Sequence, residues 1–236
     1  MTVRVGTSGF AYKEWKGSFY PEDLKNADML RFYAERFASV EINNTFYRMP
    51  SVSVLEGWRA QVPDTFQFVL KASQRITHRK RLKDAGDEMD YWVATAGTLG
   101  TQLGPTLVQL PPNLKVDVPR LEGFLDQVPR GFRCAFEFRH PSWAAEPAVR
   151  AALEAAGAAW VIADADEDDL LRVERTAPFV YARLRRVAYT DADVGEWARR
   201  LVALDAEDLY VFFKHEDEGT GPALAARFLE HVEAAR

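Results

Sequence analysis

A single cysteine, Cys134, in 236 residues excludes an internal disulfide, and its apolar neighbours make it a buried small hydrophobe. No apolar run approaches the roughly 20 residues that a membrane-spanning helix needs. The opening stretch MTVRVGTSGF has no basic segment followed by an apolar one, so no signal peptide is expected. These absences point to the cytoplasm and away from a membrane. No G-x-G-x-x-G follows the first apolar run, which argues against an open dinucleotide-binding sheet. The four histidines form neither H-E-x-x-H nor H-x-x-x-H, so no compact metal motif is present. Linkers, low-complexity segments and internal repeats are also lacking, which makes residues 1–236 a single expected domain. A net charge of −5 excludes a wholly nucleic-acid-binding surface but not a local basic patch. One such patch is SQRITHRKRLK, residues 73–83.

What is there is a succession of short β-branched or aromatic runs. They are VRVG (3–6), SVEIN (39–43), FQFVLKA (66–72), TLVQL (106–110), CAFEF (134–138), AAWVIA (158–163), FVYARL (179–184) and LYVFFK (209–214). Helical patterns lie between most of them. NADMLRFYAERF has Asn26 or Asp28 as its cap, DVPRLEGFLDQV has Asp117 ahead of an early proline, and PAVRAALEAAG closes on Gly157. Alternating strands and helices predict βαβ units and a parallel sheet. Eight strands in this length predict an α/β fold closed as a (β/α)8 TIM-type barrel. The unit between strands six and seven is expected to be degenerate, because DADEDDLLRVERTAP (164–178) leaves little room for a full helix.

Period-two alternation assigns directions inside such a barrel. In CAFEFR the apolar set Cys134, Phe136 and Phe138 faces the helices, so Glu137 and Arg139 point inward. The same pattern turns Glu41, Asn43, Lys71, Ser73, Gln109, Tyr181, Arg183, Arg185 and Lys214 inward. Strand six shows no clean alternation and leaves Asp164 unassigned. The inward polar residues sit at the C-terminal strand ends, where barrel active sites form. His140 would lie just above that rim. A structural alternative stands beside this reading: inward charges such as Lys71, Glu137 and Arg183 could simply neutralise one another.

Seven motifs carry a resemblance over the whole chain: VGTSGF, EINNTFY (41–47), KASQRITH (71–78), QLPP (109–112), FEFRHPSW (136–143), IAD (162–164) and YARL (181–184). In order and combination they resemble the YecE-like family, domain of unknown function 72. The resemblance implies a TIM-barrel-type fold in a soluble bacterial or archaeal protein with no settled activity. It brings Thr7, Ser8, Thr45, Tyr47, Thr77, His78 and His140 into the candidate site beside the inward residues above. Two departures from the family pattern are Arg185 and Arg186 after YARL, where the family usually has His-Gly, and Lys214 and His215 at the end of the last strand. They would favour a more anionic ligand.

Three readings of function follow. In metal-assisted phosphoester chemistry, a hydrolase-type reading, Glu41, His78, Glu137, His140 and Asp164 would hold zinc or manganese. In metal-free acid–base chemistry, Lys71 in a cationic mouth would be a base or nucleophile and Glu137 a proton shuttle. In a non-catalytic binding module, the same mouth would hold a small anion or a nucleic-acid strand. The expectation is an enzyme acting on a phosphate- or carboxylate-bearing substrate. Glu137, His140, Lys71 and His78 would be catalytic, and Arg139 and Arg183 would form the anion clamp. Gln109, Asn43, Ser73, Tyr47, Thr7 and Ser8 would contact substrate.

Overall fold

The structure, a computed structural model, describes residues 1–166 and 170–234. Among these residues the strands are β1 (Thr2–Thr7), β2 (Ser39–Ile42), β3 (Gln67–Leu70), β4 (Thr106–Gln109), β5 (Cys134–Glu137), β6 (Ala159–Trp160), β7 (Ile162–Asp164), β8 (Phe179–Leu184) and β9 (Asp208–Phe213). Each of the eight expected runs forms a strand, and the sixth is broken at Val161 into β6 and β7. The helices between them are α1 (Met29–Ala34), α2 (Val52–Arg59), α3 (Gly86–Ala96), α4 (Val118–Leu125), α5 (Pro141–Ala144), α6 (Pro147–Ala156), α7 (Asp191–Val202) and α8 (Thr220–Ala234). None is long and apolar enough to cross a membrane. Between β7 and β8 no helix occurs among the described residues, and 167–169 of that expected degenerate unit lie outside them.

Local chemistry explains several boundaries. Asp117 accepts the Arg120 backbone N–H at the start of α4, and Thr190 and Asp193 close a reciprocal capping box on α7. Gly157 ends α6 at φ 64°, a left-handed position that suits glycine. The first helix is shorter than its pattern suggests. Asn26–Asp28 wind as a 3-10 turn, and neither expected cap makes a side-chain bond.

All strand pairings are parallel, in three sheets ordered β1-β9-β8-β7, β2-β3 and β4-β5-β6. The fold is therefore mixed α/β with parallel sheets, and among the described residues its hydrogen-bonded ladders do not run on into one closed sheet. Isolated bridges cross the gaps, from Ser8 to Glu41 and from Lys71 to Leu107. The first gap has a visible cause. The Tyr33 hydroxyl from α1 sits between β1 and β2, accepting from Thr7 N at 2.8 Å and donating to Ser39 O at 3.2 Å. Gly6 permits this approach, since a Cβ there would lie 2.0 Å from Ser39 O.

Two apolar layers result from the alternation. Phe136, Phe138, Trp160 and Ile162 join the larger core against the helices. On the other strand face, Val69, Leu107, Ala135, Ala159, Val161, Ala163, Phe179, Tyr181, Tyr210 and Phe212 form a separate buried cluster. Its alanines Ala135, Ala159 and Ala163 come from β5 to β7 and its aromatics from β8 and β9, so volume is shared between large and small side chains. Polar side chains close this inner cluster at both ends. At the N-terminal strand ends Asp208 receives Arg4 at 2.6 Å and Arg133 at 2.9 Å, while Gln67 takes Arg133 and the Tyr210 hydroxyl. The C-terminal ends carry the candidate site.

Candidate functional site

Arg183, near the end of β8, is the hub. Its Nη1 donates to Glu137 Oε2 at 2.6 Å and its Nη2 to Glu41 Oε1 at 2.8 Å, with all three side chains buried. Glu41 Oε1 also accepts from Ser8 Oγ at 2.7 Å and Asn43 Nδ2 at 3.1 Å, and its Oε2 accepts from the Tyr181 hydroxyl at 2.5 Å. Glu137 Oε1 takes Gln109 Nε2 at 2.9 Å and stands 3.2 Å from Arg185 Nη2. Burial opposes ionisation of Glu137, but Arg183, Arg185 and Gln109 outweigh it and bring the carboxyl down to about 2. Burial opposes ionisation of Glu41 as well, and Arg183 and Tyr181 again prevail, lowering it below the usual range. Both carboxylates are charged and fully engaged.

Lys71 stands at the edge of this network, just beyond β3. Its Nζ donates to Gln109 Oε1 at 2.8 Å and lies 4.5 Å from the centre of the Phe46 ring. Burial and then the Arg183 charge depress it, Glu41 and Glu137 pull the other way, and the ammonium falls to about 8. His78 packs edge-on against the same Phe46 ring at 4.8 Å and holds Thr77 Oγ1 through Nδ1 at 2.8 Å. It belongs to a five-residue π-turn, Arg75–Arg79, an irregularity frequent at functional sites. Burial, Lys71, Arg139 and Arg81 all lower its pKa, so these cations share one neighbourhood. Beyond the π-turn, Arg81, Leu82 and Asp84 all have positive φ, a costly backbone for non-glycine residues.

A family model for proteins of unknown function, DUF72, matches residues 4–236. The chain belongs to the DUF72 family. This accords with the YecE-like resemblance carried by its motifs. The UPF0759 protein YecE of Escherichia coli K12 is 33% identical over 118 residues, covering 50% of this chain and 43% of that protein. YunF of Bacillus subtilis is 30% identical over 154 residues, 61% of this chain and 53% of that protein. The matched segments thus span about half the length of these curated relatives. A DUF72 protein of Thermotoga maritima superposes over 99% of this chain and 100% of its own, with a TM-score of 0.87 and 28% identity. One from Enterococcus faecalis gives a TM-score of 0.82 at 18% identity, over 98% and 96% of the two chains.

Within this DUF72 chain the structure sorts the expected site residues. Glu41, Asn43, Lys71, Gln109, Glu137 and Arg183 come together as the alternation indicated, with Ser8 and Tyr181 joined to Glu41. Arg185 pairs with Glu137. Several assignments need correction. Arg183 is no free anion clamp, because each terminal nitrogen already holds a carboxylate. Glu137 is no proton shuttle, because Arg183 and Gln109 occupy its two oxygens and the nearby guanidinium groups hold its carboxyl well below the usual range. Thr7 turns to the helix side, where Oγ1 bonds Gly9 O at 2.6 Å and meets the Tyr33 hydroxyl at 2.9 Å. His140 caps α5, accepting the Ser142 N–H through Nδ1.

The expected metal donors are not gathered. No group of three His, Cys, Asp or Glu side chains among the described residues could hold a metal ion. Glu41 and Glu137 spend their oxygens on Arg183 and its neighbours, and Asp164 faces away from both. Its Oδ2 accepts from Trp197 Nε1, Tyr189 OH and Arg186 Nε, each at 2.9 Å, on the α7 side of β7. Its direction was not legible because β6 and β7 are apolar on both faces. His215 is likewise directed at Arg186 O, at 2.7 Å, while Lys214 and Arg139 are exposed. In the basic patch, Arg75 and Lys80 are both paired with Glu88.

Proposed function

We propose that the three sheets serve as one barrel-like domain and that the chain is an enzyme binding a small anionic substrate at its C-terminal mouth. Lys71 would be the group that takes a proton from the substrate and returns it. The observation that carries this reading is the setting of the Lys71 amine, half-buried on Phe46 and tethered to Gln109 beside carboxylates already satisfied by Arg183. Lys71, Arg139, Arg183 and Arg185 are four cations set against two carboxylates, Glu41 and Glu137, which leaves positive charge for an incoming anion. Arg139 and Arg185, rather than Arg183, would meet that anion. An amine that titrates near neutral pH is matched to proton transfer. His78, its pKa lowered by burial and then by the same cations, adds a neutral imidazole edge-on to Phe46.

This metal-free reading is favoured over metal-assisted phosphoester chemistry by the donor set, since the two central carboxylates have no oxygen without a partner. It is favoured over a nucleic-acid groove because Glu88 neutralises part of the basic patch. Trace acylation with acetic anhydride, read per lysine by mass spectrometry across pH, tests the proposal. Lys71 should titrate at about 8, lowered from the ordinary lysine value, and inorganic phosphate should protect it. Titration with the surface lysines and no protection by phosphate would overturn it.

A further inference from the structure

A cavity of about 860 Å³ opens beside the mouth, between the 47–54 segment and α3. Its walls include Tyr47, Met49, Val54, Tyr91 and Trp92, together with Ser73, two residues beyond Lys71 in the chain. Two of these rings face solvent to an unusual degree, Tyr47 at 73% and Tyr91 at 61% exposure. Large apolar groups left uncovered around a concavity mark binding surfaces. A pair of rings connects the cavity wall to the mouth. The Tyr47 ring lies 5.0 Å from that of Phe46, and Phe46 is the ring on which Lys71 rests. The charged lining of the cavity is balanced, Arg48 and Arg75 against Asp87 and Glu88, with Arg75 and Glu88 paired at 3.4 Å, so the excess positive charge for an anion lies at the mouth.

We infer that this cavity is the subsite for a flat aromatic group on the same substrate, so that the mouth and cavity together recognise an aromatic phosphate. The inference rests on the anion-binding reading of the mouth and names the substrate class that goes with it. The phosphate lies among Lys71, Arg139 and Arg185, and the ring reaches past Phe46 to stack on Tyr47 or Tyr91. Stacking on an exposed tyrosine raises affinity by about tenfold.

Calorimetric titration at fixed ionic strength with methyl phosphate, phenyl phosphate and phenol separates the two parts. Phenyl phosphate should bind about tenfold more tightly than methyl phosphate. Tyr47→Ala or Tyr91→Ala should remove that difference, read as the ratio of phenyl to methyl phosphate affinity within each variant, and both rings are exposed enough for the variants to fold. Lys71→Met should weaken both phosphates alike. Equal affinities for phenyl and methyl phosphate would overturn the subsite and leave the mouth reading standing. A ring advantage that survives in both tyrosine variants would also overturn it, because the ring would then bind elsewhere. Phenol binding as tightly as phenyl phosphate would refute the linked substrate. Failure of either phosphate to bind would sink the mouth reading and this inference together.

Discussion

Lys71, just beyond β3, and Glu137, in β5, are bridged by Gln109 of β4, yet their environments move them in opposite directions. Glu137 is buried with two guanidinium groups and stays charged, whereas Lys71 is desolvated beside Arg183 and gives up its proton easily. Holding Lys71 charged in the fold is unfavourable relative to the unfolded chain, where a lysine titrates near 10.4. Between about 8 and about 10.4 the unfolded chain therefore binds more protons at this site, and stability from this group rises with pH. Below about 8 both states carry the proton and the contribution is flat. The urea-midpoint difference between the native protein and Lys71→Met should be constant below pH 8. It should then move in favour of the native protein up to pH 10.5. A difference independent of pH across that window would show that Lys71 is an ordinary exposed lysine.

At the scale of elements, Asp164 shows how a residue expected in the site can instead hold two pieces of structure together. Three donors converge on one of its oxygens, from Arg186 and Tyr189 after β8 and from Trp197 in the middle of α7. Trp197 is itself buried, so the contact fixes the rotation of α7 on its strands. Asp164→Ala leaves buried donors and the Arg186 charge without their acceptor, a loss of about 3 kcal/mol. Hydrogen exchange should quicken first along Asp191–Val202, ahead of the rest of the molecule; uniform acceleration would mean that Asp164 has no special hold on α7.

The same scale shows where sequence patterns inform and where they stop. The strands were legible because β-branched and aromatic runs alternate with amphipathic segments. The inward set was legible wherever one face of a strand was apolar, as in β5 with Cys134 and Phe136. In β6 and β7 alanine, valine and isoleucine fill both faces, and no periodicity marks Asp164. Pairing was not legible either: charge sign alone does not reveal that Arg183 would consume both carboxylates. Nor does any local pattern show the Tyr33 hydroxyl parting β1 from β2, since that contact joins residues distant in the chain.

Across the whole molecule, the polar network has a further consequence. Glu41 belongs to the two-stranded sheet, Glu137 to the three-stranded sheet and Arg183 to the four-stranded sheet. One guanidinium thus joins three sheets whose ladders do not run together, and Arg133 and Asp208 make a comparable tie at the opposite strand ends. The acid behaviour of the protein follows from the C-terminal tie. Both carboxyls have folded pKa values below their unfolded ones, Glu137 at about 2, so their stabilisation is complete above pH 4.5. It is lost as pH falls from there through about 2, because the unfolded chain takes up protons that the folded one refuses. The urea midpoint should fall steeply over that interval. In Glu137→Gln, already weakened at neutral pH by about 3–5 kcal/mol through the unpaired arginine, the fall should be shallower. An equal slope in the two proteins would place the acid sensitivity outside this network.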